Sequence, residues 1–117
     1  MTELTFYHNP RCSKSRNALQ LLEARGVHPD VVLYLDTPPT ASELSALLVK
    51  LGISARQLLR TGEEAYKNLQ LADAGLSEQT LIEAMLSHPK LIERPILVVG
   101  DRAVIGRPPE KVLELLP

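Results

Sequence analysis

The chain has 117 residues and a mass of 12.9 kDa, the size of one domain, and its 44% hydrophobic and 23% charged composition is that of an ordinary globular protein. A formal net charge of −1 argues against wholesale electrostatic binding to nucleic acid or anionic membrane, and 3% aromatic content leaves no base-stacking platform. The single cysteine, Cys12, excludes an internal disulfide, a zinc thiolate cage and an iron–sulfur cluster, and favours a reducing, cytoplasmic setting.

Leu4-Thr5-Phe6-Tyr7 is a short β-type run that stops at His8-Asn9-Pro10, a turn composition. Ser13 is a good N-cap for a helix to Arg25, with Ala18, Leu19, Leu21, Leu22 and Ala24 on its apolar face and Gly26 as its stop. Val31-Val32-Leu33-Tyr34-Leu35 reads as a strand buried on both faces. Strand, helix, strand is a βαβ unit, for which a parallel crossover is expected. Thr40-Ala41-Ser42-Glu43 is a capping box opening a helix to about Leu51, with Gly52 as its stop. Ser54 caps a further short helix, residues 64–69 add a helical turn or two, and Ser77 starts a helix that closes before His88-Pro89. Residues 96–99 and 103–105 around Gly100-Asp101 form a β-hairpin. Pro108-Pro109-Glu110 opens a final helix carrying Val112, Leu113, Leu115 and Leu116. The order predicts an α/β fold of thioredoxin-like plan, β-α-β, helical insertion, β-β-α, with a central mixed sheet flanked by helices; ferredoxin-like folds are the close competitors. It also predicts one domain over residues 1–117, with the insertion at about 40–88, and no membrane span or targeting segment.

Cys12 lies at the first βα junction, where ligands of open α/β sheets sit. The N–H groups of a helix start stabilise an anion, Arg11, Lys14 and Arg16 surround the thiol, and no acid occurs between Glu3 and Glu23. An ordinary thiol is only about 3% ionised at pH 7; lowering its pKa by roughly two units makes it about three quarters thiolate, at about 2.7 kcal/mol of differential stabilisation. A lone cysteine is often a buried small hydrophobe, but polar neighbours in a βα loop favour a reactive thiolate here. Ser15 occupies the position that holds a second cysteine in a Cys-x-x-Cys motif, so a redox-active Cys12 needs a resolving thiol from another molecule. Ser15 is expected to donate a hydrogen bond to the thiolate. The loop lacks the Cys-x5-Arg spacing of a phosphatase-type P-loop. Arg60, Arg94 and Arg107 read singly as surface charges, and together as an oxyanion pocket, since guanidinium forks match tetrahedral oxyanions. His8, His28 and His88 have no paired ligand spacing, so no metal site is expected.

YHNPRCSKSRNAL, YLDTPPT, LLR at 58–60, HPKLIERPI at 88–96 and IGRPPEKVLELL at 105–116 occur in order. Together they resemble the glutathione/glutaredoxin-coupled arsenate reductase (ArsC) family, and within it the short YfgD-like branch, over essentially the whole chain. The resemblance implies a thioredoxin-like fold with a helical insertion and reduction of arsenate to arsenite. It implies no bound cofactor, glutathione as co-substrate, glutaredoxin as partner and a monomer. It makes Cys12 the nucleophile, carries the three oxyanion-binding arginines onto Arg60, Arg94 and Arg107, gives His8 an electrostatic role in tuning the thiolate, and matches Pro95 to a cis-proline. Two features differ from the longer reductases of the family: the sequence stops at Pro117 where they continue with a polar tail, and its loop reads Arg-Cys-Ser-Lys-Ser rather than Cys-Gly-Thr-Ser. Two other readings stand beside this one. One is a monothiol oxidoreductase with another substrate. The other is a regulator that binds RNA polymerase, as the related Spx-like proteins do with the Cys-x-x-Cys switch that Ser15 removes here.

Overall fold

The computed structural model describes residues 4–116, which fall into two compact units, 4–37 with 94–116, and 38–93. The first unit holds a four-stranded sheet of order β2-β1-β3-β4, where β1 is Leu4–Tyr7, β2 Asp30–Val32, β3 Ile96–Val99 and β4 Arg102–Ile105. β1 pairs parallel with β2 and antiparallel with β3, and β3 pairs antiparallel with β4. This mixed sheet with its βαβ and hairpin halves has the thioredoxin-like plan. Helix α1, Ser13–Ala24, bridges β1 and β2. Its Ala18 and Leu22 pack with Phe6 of β1, Leu97 of β3 and Val112 into a core from which water is excluded. The central strands therefore carry the apolar load, and each buried side chain of this kind contributes about 1.5–3 kcal/mol relative to exposure.

The structure corrects three readings. β2 ends at Val32 instead of running to Leu35; it is an edge strand, and Val31 and Leu33 are about two fifths exposed. The apolar run is continuous, but only one neighbour pairs with it, and residues 34–36 turn. The chain enters α1 one residue earlier than expected: Cys12 is the N-cap, with extended backbone angles, and Ser13 is already helical. The final helix is a 3-10 helix, Pro109–Leu115, entered from Pro108 and closed by i to i+3 bonds such as Lys111 N–H to Pro108 O at 3.0 Å.

In the second unit, α2 is Ala41–Leu51, α3 Ala55–Leu58, α4 Glu64–Asn68 and α5 Glu78–Ser87. The capping box of α2 forms as expected, and Gly52 closes the helix with φ +70°, a conformation open to glycine without a Cβ penalty. A second capping box, Ser54 with Gln57, opens α3. Leu44, Leu47 and Leu48 of α2, Leu58 of α3, and Leu81, Ile82 and Met85 of α5 are buried, and α5 touches both other helices. A single antiparallel bridge, Leu59 to Ile92, ties the chain after α3 to the segment after α5. No helix among the described residues is long and apolar enough to cross a membrane.

Candidate functional site

Past the end of β1 the chain is held by a set of short bonds that the turn residues supply. His8 N–H donates to Val32 O at 2.9 Å. Asn9 Oδ1 accepts the Arg11 N–H at 3.0 Å, an Asx turn that curls the loop back, and Asn9 O accepts the Cys12 N–H at 3.0 Å. The Cys12 carbonyl then accepts the Arg16 N–H, the first bond of α1, and Arg16 Nη1 donates to Pro10 O at 2.8 Å. The helix and its cap are thus set by the loop itself, and Cys12 is carried to the N-terminal end of α1.

Ser15 works differently from the sequence expectation. Its side chain is fully buried, its Oγ accepts the Asn9 N–H at 3.0 Å and lies 2.7 Å from His8 Nδ1. The hydroxyl therefore serves the loop, not the sulfur. The Ser15 backbone N–H, at the start of the helix, favours the thiolate form without closing a side-chain cap bond. His8 is buried beside Ser15. Burial, and secondarily the Arg16 charge, hold its pKa below the ordinary histidine value, with Glu23 opposing in part. His8 Nδ1 and Ser15 Oγ, 2.7 Å apart, share one hydrogen bond, with the donor set by the ring tautomer. His8 is tied to the loop through Ser15.

The thiol itself is half-buried. Burial alone pushes its pKa up; the Ser15 N–H, the Arg94 guanidinium and the Lys14 N–H outweigh it, and the net direction is down. Arg107 Nη2 lies 4.0 Å from Cys12 Sγ, and Arg107 Nε donates to Arg94 O at 2.8 Å. The first unit therefore brings together Cys12, Arg94 and Arg107. Both arginines precede cis peptide bonds, Arg94–Pro95 and Arg107–Pro108; the first was expected and the second was not. Arg60 stands in the second unit. Its N–H donates to Leu91 O at 2.8 Å, its Nη1 pairs with Glu93 Oε1 at 3.2 Å, and its buried Nε has no hydrogen-bond partner among the described residues. Asn9, read from the sequence only as part of a turn, also sets the bonds that carry Cys12 to the helix start, which its place before Pro10 signals as an Asx turn.

A thiolate at a helix start with two guanidiniums beside it can attack the central atom of a small oxyanion whose charge the arginines neutralise. The ArsC family model matches residues 7–115, which contain every residue of this arrangement. This chain belongs to the ArsC family. Among the proteins similar to it, YfgD of Escherichia coli K12 is 57% identical over 115 residues, 97% of each chain. A protein named arsenate reductase from Haemophilus influenzae is 51% identical over 94% of this chain and 96% of its own. The solved structure of an arsenate reductase from Vibrio cholerae superposes with a TM-score of 0.95, at 51% identity and 98% coverage of both chains.

Proposed function

We propose that this chain reduces arsenate to arsenite with a glutathione and glutaredoxin pair as the source of electrons. The observation that carries the reading is Cys12 as the N-cap of α1 with Arg94 and Arg107 at the sulfur, in a chain with one cysteine. The arsenate reductase names of its ArsC relatives give the substrate class.

In the proposed sequence, arsenate binds against Arg94 and Arg107; the family resemblance adds Arg60 to the oxyanion-binding set. At an effective dielectric of 20, one cation about 4 Å from a unit anion contributes about 4 kcal/mol before desolvation, so two or more hold a dianion without a metal. The Cys12 thiolate attacks arsenic, an As–O bond breaks, and that oxygen takes up protons and leaves as water. The thiol of glutathione displaces a second oxygen in the same way, giving an As(V) centre bonded to both sulfurs. The glutaredoxin thiolate attacks the glutathionyl sulfur; the S–As bond breaks with its electron pair on arsenic, which becomes As(III). The two electrons come from the two external thiols, which leave as a mixed disulfide. Water then displaces Cys12 from arsenic, arsenite departs and the thiolate is restored.

NADPH consumption coupled through glutathione reductase, glutaredoxin and glutathione tests this directly. The wild type is expected to give arsenate-dependent oxidation, and Cys12→Ser none. Turnover by Cys12→Ser contradicts the role of the thiol, and an inactive wild type contradicts the substrate.

A further inference from the structure

Arg94 and Arg107 reach the thiol from the two open ends of one hairpin. The β3–β4 ladder stops at Ile96 with Ile105, so neither arginine is held by it. Two bonds continue the ladder's work: Gly106 N–H donates to Pro95 O at 2.8 Å, and Arg107 Nε donates to Arg94 O at 2.8 Å. Gly106 sits where the two segments cross, and it is buried. Its φ lies outside the left-handed region, so conformational freedom does not call for glycine there. Space does. A Cβ on residue 106 would stand 2.9 Å from Pro95 Cγ and 2.9 Å from Val112 Cγ1, where packed carbons stand about 3.5–4.0 Å apart. Neither neighbour can swing aside. Pro95 is a fully buried ring, and Val112 is a β-branched side chain inside the core cluster.

We propose that Gly106 is a positioning residue of the thiol site: its missing side chain lets Pro95 seat on the backbone at 106 and so holds Arg94 and Arg107 as one rigid pair beside Cys12. Gly106 touches neither thiol nor substrate and acts through the two arginines. A methyl group there drives the Arg94-Pro95 segment away from residues 106–107, lengthens both bonds and takes the guanidiniums off the sulfur. The proposal deepens the reductase reading, and rests on it for the substrate, but its effect on the thiol is independent of arsenate.

Gly106→Ala, Val112→Ala and the double variant test it, with three readouts: the pH midpoint of Cys12 alkylation by iodoacetamide, KM and kcat for arsenate, and denaturant unfolding. Val112→Ala removes one of the two collisions and leaves the one with Pro95. The double variant is expected to fold, to show an alkylation midpoint raised by about one pH unit as cation contact is lost, and to raise KM on the order of tenfold with a smaller fall in kcat. Val112→Ala alone is expected to lose stability and keep the wild-type midpoint. A folded double variant with the wild-type midpoint overturns the proposal. So does an equal shift in Val112→Ala alone, and so does a double variant that cannot fold, since each would place Gly106 in the core's stability instead of the site. If the wild type fails to reduce arsenate, the alkylation readout still decides the role of Gly106, so the two failures are separate.

Discussion

At the start of α2, Thr40 Oγ1 accepts the Glu43 N–H at 3.1 Å and Glu43 Oε1 accepts the Thr40 N–H at 2.9 Å, so the helix closes its own N-terminus. At the start of α1 no side chain does this: the N-cap is Cys12 with no side-chain cap bond, the first turn carries no acid, and the Lys14 and Ser15 N–H groups lower the thiol pKa. Every α-helix begins with N–H groups that lack intrahelical partners, and an oxygen cap contributes about 1 kcal/mol. One helix uses its own side chains for stability. The other leaves the same donors facing a thiol whose pKa they lower, together with Arg94, and Arg107 Nη2 stands 4.0 Å from the sulfur. The surrounding polar groups of α1 (Asn9, Ser15, His8, Arg16) are used to hold the loop in place.

The largest test of this contrast is Cys12→Ser. An oxygen at that position is a better N-cap and a far poorer nucleophile, so folding should persist while turnover falls at least a thousandfold in the coupled assay. Next comes Arg107→Lys, which removes the Nε bond to Arg94 O and the bidentate fork. A charged hydrogen bond contributes about 1.5–3 kcal/mol; KM for arsenate is therefore expected to rise by roughly ten- to a hundredfold, read from initial rates against arsenate concentration. Ser15→Ala strips the partner from the buried Asn9 N–H and from His8 Nδ1. Its expected cost is about 1–3 kcal/mol in denaturant unfolding, with a smaller change in thiol reactivity because the backbone N–H of residue 15 remains. The smallest effect belongs to Thr40→Ala, which opens the α2 box at a cost of about 1 kcal/mol and leaves Cys12 alkylation unchanged.

Much of the fold was legible because its signals are local. Thr40 with Glu43, Gly52 and the Gly100-Asp101 turn each carry their instruction within four residues, and each forms as read. β2 misled because an apolar run does not say how many neighbours will pair with it; that depends on where β1 and β3 lie. The choice of Cys12 over Ser13 as cap is made by the Asn9 turn two bonds away, which propensity does not see. The lowered pKa of Cys12 agrees with its basic, acid-free loop, a signal that is local in the sequence. The bond from Arg107 Nε to Arg94 O was not readable, because residues 13 apart meet only through the hairpin register. Ser15 showed a third kind of gap: the residue was singled out for a hydroxyl bond to sulfur, while its hydroxyl meets His8 and the Asn9 N–H.

The central claim is that Cys12 is a thiolate serving as the anion at the start of α1. The direct measurement is the pH dependence of thiolate ultraviolet absorbance and of iodoacetamide alkylation in the native protein, with Cys12→Ser as the blank, beside the same titration in denaturant. A folded-state pKa below the unfolded one means that ionisation stabilises the fold. That stabilisation is fully present above the unfolded pKa and is lost as pH falls through the folded one. The expected result is a native midpoint clearly below the denatured midpoint, and a stability relative to Cys12→Ser that rises with pH between the two. A native midpoint equal to or above the denatured one would contradict it.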